Sequence, residues 1–203
     1  MDRRQRKTKT AILNACYELI KDKDFRKVTI NDIADEADIN RGTFYLHFDD
    51  KFDMINSFEE EVLDKIHEVF IRNIPAAGDS FKQEFLPSRY DTIVEILQCL
   101  KDNRMLMQVI LESGNVSSFK SKLEDKMQYF INKEIMTRFG DQITIPSELL
   151  IKIFSSTVLS YAEYAIESEK EVDVEAVAEF IFKIILQGPA KTIGIIDPTG
   201  KTN

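Results

Sequence analysis

The segment that begins at Arg41 alternates side chains able to contact nucleic acid with side chains that pack inside a protein. Arg41 can reach guanine O6 and N7 or a phosphate, and Thr43 can contact a thymine methyl or exchange one hydrogen bond. Tyr45 and His47 carry polar groups that suit phosphate contacts. Gly42 leaves room for a close approach of the backbone. These residue types at this spacing favour DNA binding.

Two short helices joined by a tight turn would hold these side chains in place. Thr29 suits the N-cap of a first helix from Ile30 to Ala37, with Asp32 completing an acidic variant of a capping box. Asn40 suits the N-cap of a second helix from Arg41 to His47. The pattern predicts a helix-turn-helix, in which the second helix enters the major groove by its N-terminal end. Thr29 and Asn40 would then lie near the DNA backbone.

The ordered run from Thr29 to Phe48, followed by Lys51, resembles the N-terminal signature of the TetR family of repressors. The resemblance covers about residues 8–58, and it implies a homodimer with an all-helical C-terminal domain for ligand binding and dimerisation. It also implies ligand-controlled release from a palindromic double-stranded DNA operator. The positions that it places on DNA are Thr29, Arg41, Thr43, Tyr45, His47 and Lys51, the last as a phosphate contact. Asp38 stands where the family usually has Gly, and we expect the turn to survive because Asp tolerates a left-handed backbone.

Positive charge is concentrated at the N-terminus of an acidic chain. The net charge is −8, but residues 1–51 hold 11 Lys/Arg against 10 Asp/Glu, and the remainder holds 16 against 25. Five basic residues fall within the first ten: Arg3, Arg4, Arg6, Lys7 and Lys9. This segment is either a solvated tail or an arm that contacts a DNA groove. A local basic tip can bind phosphates while the acidic body faces away.

The rest of the chain has helical periodicity interrupted by loops. The loop at 75–80 and a break at Pro87-Ser88 separate predicted helices over 51–74, 89–102, 104–113, 116–139, 147–169 and 174–187. The fold predicted is all-α with about nine helices. We expect a helix-turn-helix DNA-binding domain at 1–50 and a helical ligand-binding and dimerisation domain at 51–203.

The later helices contain many Met and aromatic residues, which are chiefly core residues. A few of them are predicted to line a pocket for a small apolar or cationic effector: Met105, Met107, Phe119, Met127, Phe130, Phe154 and Tyr161. Glu112 and Glu163 either pair with a cationic ligand or lie at the surface. The last two long helices have apolar residues around much of their circumference. We expect them to form a twofold four-helix interface through stripes at Leu150, Ile153, Phe154, Thr157, Val158 and Tyr161, and at Val174, Val177, Ala178, Ile181, Ile184 and Ile185.

Other classes of function lack the necessary residues. The sequence has no P-loop, no Gly-x-Ser-x-Gly, no His-Glu-x-x-His and no nucleophile with an evident base, so we predict no enzyme and no cofactor. Cys16 and Cys99 are interpreted as reduced thiols, and two histidines are too few for a zinc site. No signal peptide or membrane span is predicted, which indicates the cytoplasm. The alternative is a helical adaptor without DNA binding, which would leave the segment from Arg41 unexplained.

Overall fold

Our computed structural model describes residues 3–73, 81–114, 117–137, 146–168 and 171–187, without the side chains of 81–89, 134–136 and 185–187. Those ranges contain nine α-helices and no strand, which confirms the all-α prediction. The helices are α1 (Arg3–Asp22), α2 (Ile30–Glu36), α3 (Arg41–Tyr45), α4 (Lys51–Arg72), α5 (Phe81–Asp102), α6 (Arg104–Glu112), α7 (Phe119–Phe130), α8 (Ser147–Glu167) and α9 (Val174–Gln187). A 3₁₀ turn, Phe25–Lys27, follows α1, and a π-helical segment, Ile131–Met136, extends α7.

The predicted break at Pro87-Ser88 is wrong, because α5 begins at Phe81 and continues through Pro87. Proline has no N–H, so this helix lacks one backbone hydrogen bond at that position. Packing of α5 against both α4 and α9 supports the continuous helix, and tertiary packing of this kind outweighs local propensity. The sequence also predicts helix stops at Gly140 and at Gly188-Pro189, and both lie outside the described residues.

The first three helices close a small core that α4 shares. Ile12 and Cys16 of α1, Ile33 of α2 and Phe44 of α3 are fully buried. The ring of Phe48 lies 5.7 Å from that of Phe58 on α4. Further along α4, Val62, Leu63, Ile66 and Val69 are buried, and this part of the helix packs against α5, α6 and α7. The helix α4 therefore contributes to the cores of both halves of the molecule.

The apolar helix α8 has the length and composition of a membrane span, within the part of the chain that was searched. It also packs against α5, α6 and α7, as a core helix of a helical protein does. Leu149, Ile153 and Tyr164 on α8 are nevertheless about half exposed. One side of α8 therefore faces the protein core and another side carries apolar residues in solvent.

The two cysteines are free, as expected. Cys16 is buried, and this burial raises the pKa of its thiol to about 12. Cys99 is half-buried, and burial raises its pKa as well. Both groups are therefore neutral thiols at physiological pH, which suits a structural role.

Candidate DNA-binding surface

The helix α2 begins with the capping box that the sequence predicts. The Asp32 amide donates to Thr29 Oγ1 (3.1 Å), and the Thr29 amide donates to Asp32 Oδ2 (2.7 Å). Lys23 Nζ donates to the same carboxylate at 2.6 Å. The Lys23 hydrogen bond and then the Thr29 amide lower the pKa of Asp32 to about 2. The start of α2 is thus fixed against the end of α1 by an ionised carboxylate.

The turn between α2 and α3 depends on Asp38, which has φ 51°. This left-handed conformation favours glycine, and Asp adopts it as expected. The amide of Ile39 donates back to the carbonyl of Ala34 at 3.0 Å, which closes the turn. The two helices are therefore joined in the short, sharp way that a helix-turn-helix requires.

The helix α3 is capped by Asn40, whose Oδ1 accepts a hydrogen bond from the Gly42 amide at 2.8 Å. A Cβ on residue 42 would lie 3.3 Å from that same oxygen, so glycine suits the cap as well as a close approach to DNA. The helix ends at Tyr45, earlier than the predicted His47. Phe44 and Phe48 both turn into the core, with ring centroids 5.6 Å apart.

The outer side of α3 presents the predicted DNA-contacting side chains together. Arg41 and Tyr45 are exposed, while Thr43 and His47 are half-buried. Arg41 Nη2 donates to the Tyr45 hydroxyl at 2.9 Å, and its guanidinium lies 5.4 Å from the centre of that ring. The phenol keeps its own proton for donation to an anion. The cation and the phenol are held as one pair, next to Thr43.

Lys51 has a different role from the predicted phosphate contact. Its Nζ donates to the carbonyls of Phe25 (3.1 Å), Arg26 (3.0 Å) and Val28 (2.9 Å). An ammonium has three N–H donors, and all three are used here. Lys51 therefore joins the start of α4 to the 3₁₀ turn after α1, and it has no donor left for a phosphate.

One exposed residue beside α3 was missed by the sequence reasoning. Leu46 is 82% exposed, although it is a large apolar residue between Tyr45 and His47. Phe44 and Phe48 point inward at a helical spacing of four, and the residue midway between them then points outward. That spacing was visible in the sequence. An apolar side chain at this place can contact a thymine methyl or a sugar.

The residues predicted to line an effector pocket are mostly ordinary core. Met107, Phe119, Met127 and Phe130 are buried, and Phe154 is half-buried. Met105 is a wrong choice for an interior pocket, because the start of α6 leaves it 37% exposed. Tyr161 is 4% exposed, and its buried hydroxyl has no hydrogen-bond partner within the described residues.

An apolar groove of about 610 Å³ lies between α8 and α9. Tyr161 lines it, together with Ser156, Thr157, Ser160, Tyr164, Ala176, Val177, Phe180 and Ile181. Of the predicted dimerisation stripes, Tyr161, Val174 and Ala178 are instead buried within the protomer. The exposed apolar side chains near the groove are Ile153, Tyr164 and Phe180.

Among the described side chains, the buried carboxylate is that of Glu59, which the sequence reasoning did not single out. Glu112 and Glu163 are exposed. Glu59 Oε1 accepts from Ser117 Oγ and the Ser118 amide, both at 2.7 Å. Its Oε2 accepts from Ser118 Oγ (2.8 Å) and Lys122 Nζ (2.9 Å). Burial raises the pKa of Glu59, but these hydrogen bonds outweigh burial, so the pKa is lowered. An ionised carboxylate thus joins α4 to the start of α7.

Two family models match separate parts of the chain. Residues 12–58 match the family model for bacterial regulatory proteins of the tetR family, and residues 88–187 match a model for a transcriptional regulator C-terminal region. An HTH-type transcriptional regulator of Staphylococcus aureus is 24% identical over 178 residues, covering 84% of this chain and 88% of that protein. The HTH-type regulator YxbF of Bacillus subtilis is 26% identical over 108 residues, covering 53% of this chain but only 27% of YxbF.

Solved structures show the same fold at low sequence identity. The TetR-family regulator PfmR of Thermus thermophilus aligns with a TM-score of 0.63 at 13% identity, covering 87% of this chain and 97% of PfmR. The fatty acid degradation regulator FadR of Bacillus halodurans aligns with a TM-score of 0.59 at 15% identity, covering 89% and 95%. At these identities the likeness establishes the arrangement of helices.

Proposed function

Because the chain belongs to the TetR family of DNA-binding transcriptional regulators, we propose that it is a homodimeric repressor whose α3 helices bind a palindromic operator. The family consists of regulators rather than enzymes, and its members are generally repressors. The observation that carries the proposal is the Arg41–Tyr45 pair, held exposed beside Thr43 on a capped helix. We place the protein in the cytoplasm, where its operator would be.

On DNA, the N-terminal end of α3 would enter the major groove. Arg41 and Thr43 are the base-reading residues of this proposal, and Gly42 permits the backbone to come close. Tyr45 and His47 donate to phosphates, which position the helix without reading sequence. In this proposal, Thr29 and Asn40, at the starts of α2 and α3, lie near the sugar–phosphate backbone of the DNA. Lys51 supports this surface through its carbonyl contacts.

One recognition helix contacts too few base pairs to specify a unique site, so two copies are needed for specific binding. This is the reason to propose a homodimer. The groove between α8 and α9, with Phe180 and Tyr164 exposed beside it, is an apolar surface on the two helices that the sequence assigns to the interface. A second copy related by a twofold axis would cover the same surface on both protomers.

An effector would act by binding the DNA-free conformation more tightly than the DNA-bound one. We place its site in the larger domain, among Met107, Phe119, Met127, Phe130, Phe154 and Tyr161. The Tyr161 hydroxyl has no hydrogen-bond partner in the described part of the chain and could bind a polar group of the effector. The helix α4 connects that domain to α3, so a change in its tilt would change the distance between the two α3 helices of the dimer. A screen begins with fatty acids, since FadR is described as a fatty acid degradation regulator, and with apolar cations. Operator must weaken the binding of a true effector by the factor with which the effector weakens operator.

The first test is selection of duplexes from a random-sequence library by the full-length protein, followed by a gel mobility shift. Thr43→Ala should change the preferred bases, whereas Lys21→Ala, an exposed change on α1, should bind like the wild type. A wild-type protein that enriches no sequence would contradict the proposal and favour the helical adaptor. Two variants with identical base preferences would show that α3 is not the recognition helix.

A further inference from the structure

The basic N-terminal segment is a helix rather than an irregular tail or an extended arm. From Arg3 onward it is regular helix, continuous with the rest of α1. Arg3, Arg4, Arg6 and Lys7 are all exposed in its first two turns. The first turn holds no acidic residue, and cations there oppose the helix dipole. These charges therefore do not stabilise the helix on which they lie.

These four cations also differ from most others in the DNA-binding half of the molecule. Lys21 pairs with Glu18, Lys23 with Asp32, and Arg26 with Asp24. Lys51 is saturated by carbonyls. Within the described ranges, by contrast, the side chains of Arg3, Arg4, Arg6 and Lys7 make no ion pair or hydrogen bond. Their charge is available to an external anion.

The position of Lys9 places this segment beside the recognition helix. Lys9 Nζ donates to Ser57 Oγ on α4 at 3.2 Å and lies 5.1 Å from the centre of the Phe48 ring. Phe48 comes directly after His47, one of the proposed phosphate contacts. Arg6 and Lys7 are within one helical turn of Lys9, or about 5 Å along the axis. The unpaired cations thus adjoin the C-terminal side of α3.

We propose that the first two turns of α1 bind DNA phosphates next to the bases that α3 reads, so that each protomer has a second, sequence-independent contact. The proposal rests on DNA binding by α3. A helix is about 10–12 Å wide, and the minor groove is about 6 Å wide, so this segment meets the backbone rather than entering that groove as an extended arm would. Arg3, Arg6 and Lys7 share one helical face at spacings of three and four. They are the principal contacts.

The test compares two triple variants that remove the same charge from the intact protein. The first is Arg3→Gln, Arg6→Gln and Lys7→Gln; glutamine has a helix propensity close to that of lysine and arginine. The matched control replaces three exposed lysines on α7, its π-helical extension and α8: Lys120→Gln, Lys133→Gln and Lys152→Gln. Binding is measured on a selected duplex and on a random-sequence duplex across a series of salt concentrations.

The expected result is a weaker salt dependence for the α1 variant alone. Each phosphate contact contributes about 0.9 to the slope of log K against log salt, so up to three contacts in each of two protomers reduce it by about 2 to 5. Affinity falls by the same factor on both duplexes, and base preference is unchanged. Equal slopes for the α1 variant and the wild type would overturn the inference while leaving α3 recognition intact. A change in base preference without a change in slope would also overturn it. Failure of the wild type to bind either duplex would remove the proposed function and the inference together.

Discussion

At the scale of single residues, contacts from near in the chain were predictable and contacts from afar were not. Thr29 and Asn40 cap amides three and two residues away, and Asp38 acts through its own backbone conformation, so the sequence pattern indicated their roles as two caps and a left-handed turn. The three carbonyls that bind Lys51 lie 23 to 26 residues away, in a 3₁₀ turn and directly after it. Only the folded chain brings them together.

Lys51→Met is therefore expected to act on stability rather than on phosphate binding. Hydrogen bonds made by a charged group contribute about 1.5–3 kcal/mol to the free energy of unfolding. The substitution removes these bonds and leaves the 3₁₀ turn no longer held to α4. The thermal midpoint should fall, measured by circular dichroism, while the salt slope of DNA binding at a temperature well below that midpoint stays at the wild-type value. Lys27→Met, an exposed neighbour, should change neither. If the thermal midpoint is unchanged and the salt slope of DNA binding is smaller by about 0.9, Lys51 contacts a phosphate after all.

The turn residue permits a matched pair of glycine substitutions. Asp38→Gly should leave stability unchanged or raise it by up to about 1 kcal/mol, because φ 51° costs glycine nothing. Asp35→Gly, three residues earlier within α2, should lower stability by several tenths of a kcal/mol, since glycine is a poor helix residue. Urea unfolding measures both. Destabilisation by both substitutions would show that Asp38 contributes more than its backbone conformation.

At the scale of helices, periodicity predicted the elements but not how they are joined. The helix α5 continues through Pro87 because α4 and α9 pack along it, and that information is not in the local pattern. Likewise Glu59 resembles the neighbouring Glu60 and Glu61 in sequence. It is buried because Ser117, Ser118 and Lys122 of a distant segment meet it. This carboxylate is the polar link between α4 and α7.

That link predicts a pH-dependent stability. A carboxylate whose pKa is lowered on folding stabilises the protein above its unfolded pKa, about 4.3 for Glu, and this contribution is lost as the pH falls through the folded pKa. Glu59→Gln should therefore be less stable than the wild type by about 1.5–3 kcal/mol at pH 7. The difference in stability should shrink as the pH falls below the unfolded pKa of about 4.3 and through the lower pKa of the folded group. Glu61→Gln, on an exposed ion pair with Lys65, should change stability by less than about 1 kcal/mol at either pH. A gap for Glu59→Gln that is constant with pH would mean that its charge does not matter.

At the scale of the whole molecule, the sequence predicted that α8 and α9 are apolar. It did not predict which of their faces pack in the protomer core and which are exposed. Both helices are apolar on more than one side, so periodicity did not show that Val174 and Ala178 pack inward while Phe180 is exposed. The core of the same chain had to be seen first. What remains apolar and exposed is the surface assigned to the second copy.

Phe180→Glu should convert the dimer to a monomer at micromolar concentration. The side chain is 47% exposed in the protomer, so the charge can be accommodated by a single copy but not against a twofold partner without desolvation. Light scattering reports the mass, and circular dichroism checks the helix content. Tyr129→Glu, at a 61% exposed position on α7, is the control and should remain dimeric. An intact Phe180→Glu dimer would move the interface away from this groove.

The central claim is that two copies of α3 read one twofold-symmetric site. The most direct measurement is the sequence and stoichiometry of the duplex that the full-length protein enriches from a random library. We predict an inverted repeat whose half-site centres are separated by about one turn of DNA (10–10.5 base pairs) or a multiple of one turn. We also predict that two chains, or a multiple of two, bind each duplex. Enrichment of an unsymmetrical site bound by a single chain, or of no site at all, would contradict it.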